Sequence, residues 1–335
     1  MRERWKDLKE IVGRFAGTRV VVAGDVVLDR FWYGNVQRVS REAPIPIVRL
    51  ARTRYLPGCA ANTVWNLAAL GATPVAVGVV GDDSEGHALQ HLFESNRVGL
   101  DGITSWPSWV TPTKTRVLAG TLHGPRQQMV RVDSGEENEF PQALVAEVRR
   151  KLEKALEGAS ALVLSDYGYG LVEATAAQDF LSKVSLSAVD SRFDLTRYQG
   201  LTTATPNEEE FERAVGKPVG EDESLLDAEG EALRRRLGLK ALLVTRGAKG
   251  MSLFEDGCAP RHMPVVGSDQ VVDVTGAGDT VIATYVLGLC AGASFQEAAA
   301  IANVAGGIVV QKHGTATTDP QELARTLQLW GEGKL

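Results

Sequence analysis

Three short segments of this 335-residue chain carry residue types suited to phosphoryl chemistry. The most pointed is Asp273-Val-Thr-Gly-Ala-Gly-Asp279, which runs on into TVIATYVLGLCAG. Gly276, Ala277 and Gly278 form a small-residue turn that opens an apolar helix. Unpaired backbone N–H groups and the positive end of the helix dipole make such an opening an anion site, and small residues let a phosphate approach closely. Asp279 falls in the first turn, where a carboxylate can accept the proton of a hydroxyl that attacks phosphorus. The same spacing also fits a Gly-rich turn with an acid set against the helix dipole. In Gly58-Cys-Ala-Ala-Asn62, small residues again open a helix, and Asn62 suits either sugar hydroxyls or a cap. In Thr205-Pro-Asn207-Glu208-Glu209-Glu210, Glu210 could hold a water on Mg²⁺, or the acids could simply favour a helix start.

These segments need a scaffold, and the apolar pattern supplies one. TRVVVAGD and residues 75–80, 161–165, 187–190 and 241–245 read as strands buried on both faces. Residues 60–70, 85–97, 142–156, 173–183, 208–215 and 225–237 read as helices between them. This alternation predicts an α/β fold with a mostly parallel central sheet flanked by helices. Asp25, Asp83, Asp166, Asp190, Asn207 and residues 245–247 then fall at strand ends, where open parallel sheets bind ligands. Residues 1–16 read as a packing helix with Trp5, Leu8, Ile11, Val12 and Phe15 on one side. Residues 30–50 and 111–133 break the alternation with polar, Pro- and Gly-containing strands, which predicts a small separate β-sheet serving as a lid. Phe31, Trp32, Ile45 and Ile47 are expected to be exposed on it, leaving apolar surface and strand edges for a second copy to cover.

The bulk composition narrows the function classes. Net charge is -6 and no basic run of the nucleic-acid type occurs. The three cysteines, Cys59, Cys258 and Cys290, are scattered, which argues against a disulfide framework or a zinc site and suits a reducing cytoplasm. The charged N-terminus is unlike a signal peptide, and the apolar run 281–293 is interrupted by Thr284, Gly288 and Gly292 and is too short to span a bilayer. The five histidines (His87, His91, His123, His262 and His313) show no ligand spacing. The P-loop, dinucleotide, GxSxG and HExxH motifs are all missing.

Taken together and in order, the segments resemble the ribokinase/PfkB family. Gly58–Asn62 matches its GGxxxN segment, Asp273–Asp279 its DxTGAGD segment, Thr205–Glu210 its TPNxxE segment and Thr245-Arg246-Gly247 its Thr-x-Gly turn. GDVVLDRFWYG (24–34), SREAPIPIV (40–48), LSDYGYG (164–170) and LLVTRGAKGMSLF (242–254) carry a closer resemblance, to the kinase half of the bacterial heptose-phosphate kinase/adenylyltransferases. The similarity runs from about Val20 to about Pro320; the adenylyltransferase half would follow, so a stand-alone kinase ending at Leu335 is expected, as one kinase domain over 1–335.

The resemblance implies roles. Asp279 would be the base, with the amides of Gly276, Ala277 and Gly278 on the transferring phosphoryl group. Asn207, Glu208, Glu209 and Glu210 would lie at the ATP phosphates and Mg²⁺. Thr245 and Gly247 would line the nucleotide, with Asn303 near adenine. Asp25, Asp29, Gly58 and Asn62 would hold sugar hydroxyls. Some family members bind a monovalent cation near Asp273, and lids often pair across a dimer. Asp166 belongs to the strand-end group, and the lid cations Arg116, Arg126 and Arg131, with Lys114, suit an acceptor phosphate. This chain departs from the heptose kinases at Cys59 (usually Gly), at Tyr169 (DYGYG for DYAKG) and at Arg192 (DSR for DPK), and its lid segment 119–126 is longer. The expected activity is ATP-dependent phosphorylation of heptose 7-phosphate on its anomeric hydroxyl, in the ADP-heptose route to lipopolysaccharide core. Another PfkB kinase (for fructose phosphates, ribose or adenosine) and a non-catalytic binder on this fold are the competing readings.

Overall fold

A computed structural model describes residues 1–120, 126–135, 138–267 and 272–335. His123 and most of the 119–126 lid segment lie outside the described residues. The apolar runs form the centre of the molecule. β1 (Arg19–Gly24) pairs in parallel with β4 (Thr73–Gly81) on one side and β8 (Ala161–Asp166) on the other. The sheet continues through β9 (Leu186–Ser191), β10 (Thr203–Ala204) and β11 (Ala241–Thr245), all parallel, to an antiparallel edge of β12 (Met251–Glu255) and β13 (Arg261–Met263). β5 (Ile103–Trp106) closes the other edge. Val20, Val21, Val22 and Ala23 are all buried, as a strand covered on both faces requires.

The helices are α1 (Trp5–Gly13), α2 (Ala60–Ala69), α3 (Ser84–Ser95), α4 (Gln142–Ala155), α5 (Leu171–Ala174), α6 (Glu208–Val215), α7 (Glu223–Leu237), α8 (Ala277–Cys290), α9 (Phe295–Val309) and α10 (Pro320–Gly331). α8 and α9 are apolar on nearly every side and lie deep in the core, as a helix without a polar face must. Small residues bring them together: a Cβ on Gly288 would stand 3.0 Å from that of Ala298. α1 buries Leu8, Ile11 and Val12, with Phe15 buried just after it, on the predicted side. The helix expected over 173–183 is instead two pieces, α5 and a 3₁₀ turn at Ala177–Lys183. They are separated by Ala176 in a left-handed conformation (φ 45°), which ends the α-helical hydrogen bonding.

The two irregular segments form a second, four-stranded sheet in the order β3-β2-β6-β7, from β2 (Val26–Val39), β3 (Pro46–Cys59), β6 (Thr113–Gly120) and β7 (Gln127–Ser134). The strands are longer than expected: β2 and β3 run from the core at Val26 and Cys59 out to a solvent-exposed hairpin at Val39 and Pro46. Phe31, expected to be exposed, is buried, because it lies near the root of the sheet with the Arg116 guanidinium over its ring. Ile45 and Ile47, at the outer end, are exposed as expected. Among the described residues no helix is long and apolar enough to cross a membrane.

Candidate active site

The lid sheet, the starts of α2 and α8 and the carboxyl ends of the parallel strands enclose a cavity of about 600 Å³. At its floor Gly276 adopts φ 78° and caps α8, placing Asp279 in the first turn. The glycine is required twice. The conformation is left-handed, and a Cβ would stand 2.6 Å from the Asn62 side-chain nitrogen. The N–H of Ala277 turns back to the Val274 carbonyl at 3.2 Å, while those of Gly276 and Gly278 have no partner among the described residues.

Asp279 is buried, and α2 holds it. Asn62 Nδ2 donates to Oδ2 at 2.7 Å, Thr63 Oγ1 to Oδ1 at 3.0 Å, and the Tyr167 hydroxyl lies 3.1 Å from Oδ1. Behind them Asn66 Nδ2 donates to the Asn62 carbonyl, and Thr280 Oγ1 donates to Asn66 Oδ1 at 2.7 Å, so the two helix starts are locked together. Burial lifts the Asp279 carboxyl to about 6, against the hydrogen bonds from Asn62, Thr63 and Tyr167 that favour its ionised form. A carboxylate poised near neutral pH beside open backbone N–H groups can take a proton from a hydroxyl while an anion sits on the turn.

The other expected residues divide. Asp29, Gly58, Asn62, Arg116, Asn207, Glu209, Glu210, Thr245, Gly276, Gly278 and Asp279 line the cavity together. Gly58 lets the lid root close: a Cβ there would meet the Asp29 carboxylate at 3.0 Å. Glu210 and Asn207 form a capping box, Asn207 N–H donating to Glu210 Oε2 at 2.8 Å and Glu210 N–H to Asn207 Oδ1 at 2.9 Å. The helix-start reading of Glu210 therefore holds alongside its position on the cavity. Burial lifts the Glu210 carboxyl to about 6, which a cation nearby would relieve.

Several residues sit elsewhere. Asp25 does not line the cavity; its carboxylate accepts the N–H groups of Tyr167 (2.8 Å), Tyr169 (3.1 Å) and Leu171 (3.3 Å) and so shapes the loop after β8. Asp166 accepts from Gly168 N–H, Ser191 Oγ and Tyr198 OH. Glu208 is paired with Lys249 and Arg246, outside the cavity lining. Gly247 opens a 3₁₀ turn beyond Thr245. Asn303 donates to the Pro264 carbonyl at 2.8 Å and lines a separate cavity of about 420 Å³.

The lid cations also need revision. Arg116 is held by Asp29 at 2.6 Å and Arg131 by both oxygens of Asp133 at 2.9 Å, while Arg126 lies over the Tyr33 ring. Of the cations lining the main cavity, Arg213 is paired with Glu209, and Lys114 and Arg192 have no ion pair among the described residues. Lys114 is buried, 3.3 Å from Cys59 Sγ and over the rings of Tyr167 and Tyr169. Both line the main cavity and an adjoining one of about 300 Å³, shared with Arg131, Asp133, Tyr169 and Phe193. Cys59, where a glycine is usual, takes φ 54° and ψ -131°, a conformation glycine adopts without strain. Sequence reasoning did not give roles to Tyr167, Asp190, Thr63, Thr205 or Thr315, which all adjoin the site. Thr205 and Thr315, which line this cavity, have buried hydroxyls without a partner among the described residues. For Tyr167 and Asp190 the strand-end position was the available signal.

A cavity at the carboxyl ends of a parallel sheet, closed by a β lid and floored by a helix start with a buried carboxylate, defines a ribokinase-like phosphotransferase architecture. Arabidopsis thaliana ribokinase, solved with ribose and ATP, superposes with a TM-score of 0.74 at 22% identity, over 93% of this chain and 99% of that one. Escherichia coli phosphofructokinase-2, solved with potassium, gives a TM-score of 0.71 at 15% identity over 94% and 99%. The model of the pfkB family carbohydrate kinases matches residues 18–322. The chain therefore belongs to the pfkB family of carbohydrate kinases, enzymes that transfer a phosphoryl group to a hydroxyl. Among curated proteins it is similar to the bifunctional protein HldE of Alkalilimnicola ehrlichii (42% identical over 321 residues, 94% of this chain) and of Aeromonas salmonicida (40% over 325 residues, 96%). It spans 64% and 66% of the length of those two relatives.

Proposed function

We propose that this sugar kinase uses ATP to phosphorylate a sugar phosphate, and that the sugar is heptose 7-phosphate, taken at its anomeric hydroxyl. Asp279 accepts the hydroxyl proton, and the Gly276–Gly278 turn receives the phosphoryl group in transfer. Asn207, Glu209, Glu210 and Thr245 face the nucleotide phosphates. Mg²⁺ fits at Glu210 because that ion takes one or two carboxylates and keeps its waters, and bound with ATP it would neutralise phosphate charge. Asp29 and Asn62 face the sugar. The kinase acts as one domain and pairs through its lid sheet.

The observation that carries the sugar-phosphate reading is the buried Lys114 ammonium, with no carboxylate within ion-pair distance among the described residues, lining the same two cavities as Arg192. Burying a charge is costly without a partner, so a site that keeps one open suits an anionic ligand. A neutral sugar would leave it unmatched. The heptose part rests on the resemblance of the 24–34 and 40–48 segments and on relatives at about 40% identity.

The test compares kcat/KM for heptose 7-phosphate, fructose 6-phosphate, fructose 1-phosphate, ribose and adenosine, in wild type and in Lys114→Met. Heptose 7-phosphate is expected to lead, and Lys114→Met to cost roughly ten- to a hundredfold in kcat/KM for the sugar phosphate, as for one hydrogen bond to a charged group. Another sugar phosphate in the lead defeats the heptose assignment alone. A neutral sugar preferred tenfold, or an indifferent Lys114→Met, defeats the sugar-phosphate reading.

A further inference from the structure

Tyr167 stands where two strands end side by side. β8 and β9 pair with Ser165 opposite Asp190 and Asp166 opposite Ser191, so Tyr167 leaves the sheet next to Asp190. The loop that follows is pinned by the three N–H groups bonded to Asp25 and turned by Gly168 (φ 84°) and Gly170 (φ 91°). The ring has little freedom, and its hydroxyl comes to rest 3.1 Å from Asp190 Oδ2 and 3.1 Å from Asp279 Oδ1.

A phenol has one proton and cannot donate to two carboxylates at once. Both contacts are hydrogen bonds only when one carboxyl holds a proton and donates it to the phenol oxygen. Asp190 is the better holder. Asp279 already accepts from Asn62 and Thr63, which favours its ionised form, whereas Asp190 has no other side-chain donor among the described residues. Burial pushes the Asp190 carboxyl well above the usual range, and the charges of Glu210 on α6, Asp279 on α8 and Asp166 on β8 push the same way. Other titratable or charged groups around the pair are Asp29 on β2, Cys59 at the end of β3 and Lys114 on β6, which lies 5.5 Å over the Tyr167 ring; Arg192, beyond β9, and Glu209 and Arg213 on α6 line the same cavity.

We infer that Tyr167 and Asp190 are positioning residues for the base: Asp190 donates its proton to the Tyr167 oxygen, which directs the Tyr167 O–H onto Asp279 and keeps Asp279 ionised. This rests on reading Asp279 as the base. The chain of two carboxyls and a phenol carries two protons and one negative charge, and the charge resides on the residue that meets the substrate hydroxyl.

The test is the pH profile of kcat/KM with one acceptor for all variants, so that the ionisation of the acceptor's own phosphate is common to every curve. In Tyr167→Phe the base loses a donor, so its pKa rises. The acidic limb is expected to move up by about one pH unit, with the loss of rate largest at low pH and shrinking at high pH. Asp190→Asn keeps an N–H to donate to the phenol oxygen at every pH, and its limb is expected to stay at or below the wild-type position whatever its plateau. A purely structural role would lower all points of both curves alike. An unmoved limb in Tyr167→Phe, or the same upward move in Asp190→Asn, overturns the inference. Failure of the base assignment is distinct from this: it would show as an active Asp279→Asn variant.

Discussion

Asp279 is ionised at the expense of stability. Its folded-state pKa lies at about 6 against an ordinary 3.8, so the folded protein binds this proton more tightly than the unfolded chain does. The sign follows directly: stability from this group is greatest in acid and is lost as pH rises from 3.8 to about 6. At neutral pH the cost is on the order of 3 kcal/mol. Asp279→Asn removes that charge, so the variant is expected to melt above wild type at pH 8, with the gap closing at pH 5. Turnover is expected to fall about a hundred- to ten-thousandfold, the usual worth of a general base. Paired melting curves and steady-state rates check both halves. A variant within tenfold of wild-type rate, or one less stable at pH 8, contradicts this account of the residue.

At the scale of elements, the site depends on how the lid is rooted in the sheet. Asp83 is the N-cap of α3, its Oδ1 accepting Gly86 N–H at 2.7 Å. The same carboxylate accepts Thr111 N–H at 2.8 Å and Thr111 Oγ1 at 2.6 Å, and Thr111 Oγ1 in turn accepts Gly81 N–H at 2.8 Å. One side chain thus ties the end of β4, the start of α3 and the approach to β6, the strand that carries Lys114 and Arg116. Losing a cap costs about 0.5–2 kcal/mol, and the hydrogen bonds to Thr111 add about as much again. Asp83→Ala is expected to lose roughly 2–3 kcal/mol in denaturant unfolding and to raise KM for the acceptor more than for ATP. Equal changes in both KM values would show that the lid is not seated through this contact.

For the whole molecule, the lid leaves apolar surface uncovered. Val39, Ile45, Leu50, Val130 and Val132 are each at least half exposed, and β3 and β7 are the open edges of the small sheet. Exposed apolar strands with free edges invite pairing, and the proposed partner is a second copy through its own lid. Light scattering at micromolar concentration is expected to report a dimer, and Ile45→Glu combined with Val132→Lys a monomer. Wild type running as a monomer under these conditions rules the pairing out.

Much of the architecture was legible in the sequence because its causes are local. Continuous apolar runs mark β1, β4, β8, β9 and β11, since a strand covered on both faces has no room for polar side chains. The Asp273–Asp279 segment shows its helix start because the turn needs small residues and a left-handed glycine wherever it occurs. Tertiary structure decided what depends on distant partners. Asn62 and Asp279 are 217 residues apart, and only the packing of α2 against α8 brings them to 2.7 Å. Arg116 and Arg131 read as cations for a ligand, yet the register of the lid places carboxylates beside them. Lys114 and Arg192 remain open because nothing acidic lies within ion-pair distance of them among the described residues. Residue type sets what a side chain can bond; which bonds are left open for a ligand depends on long-range pairings, and those exist only once the sheets have aligned.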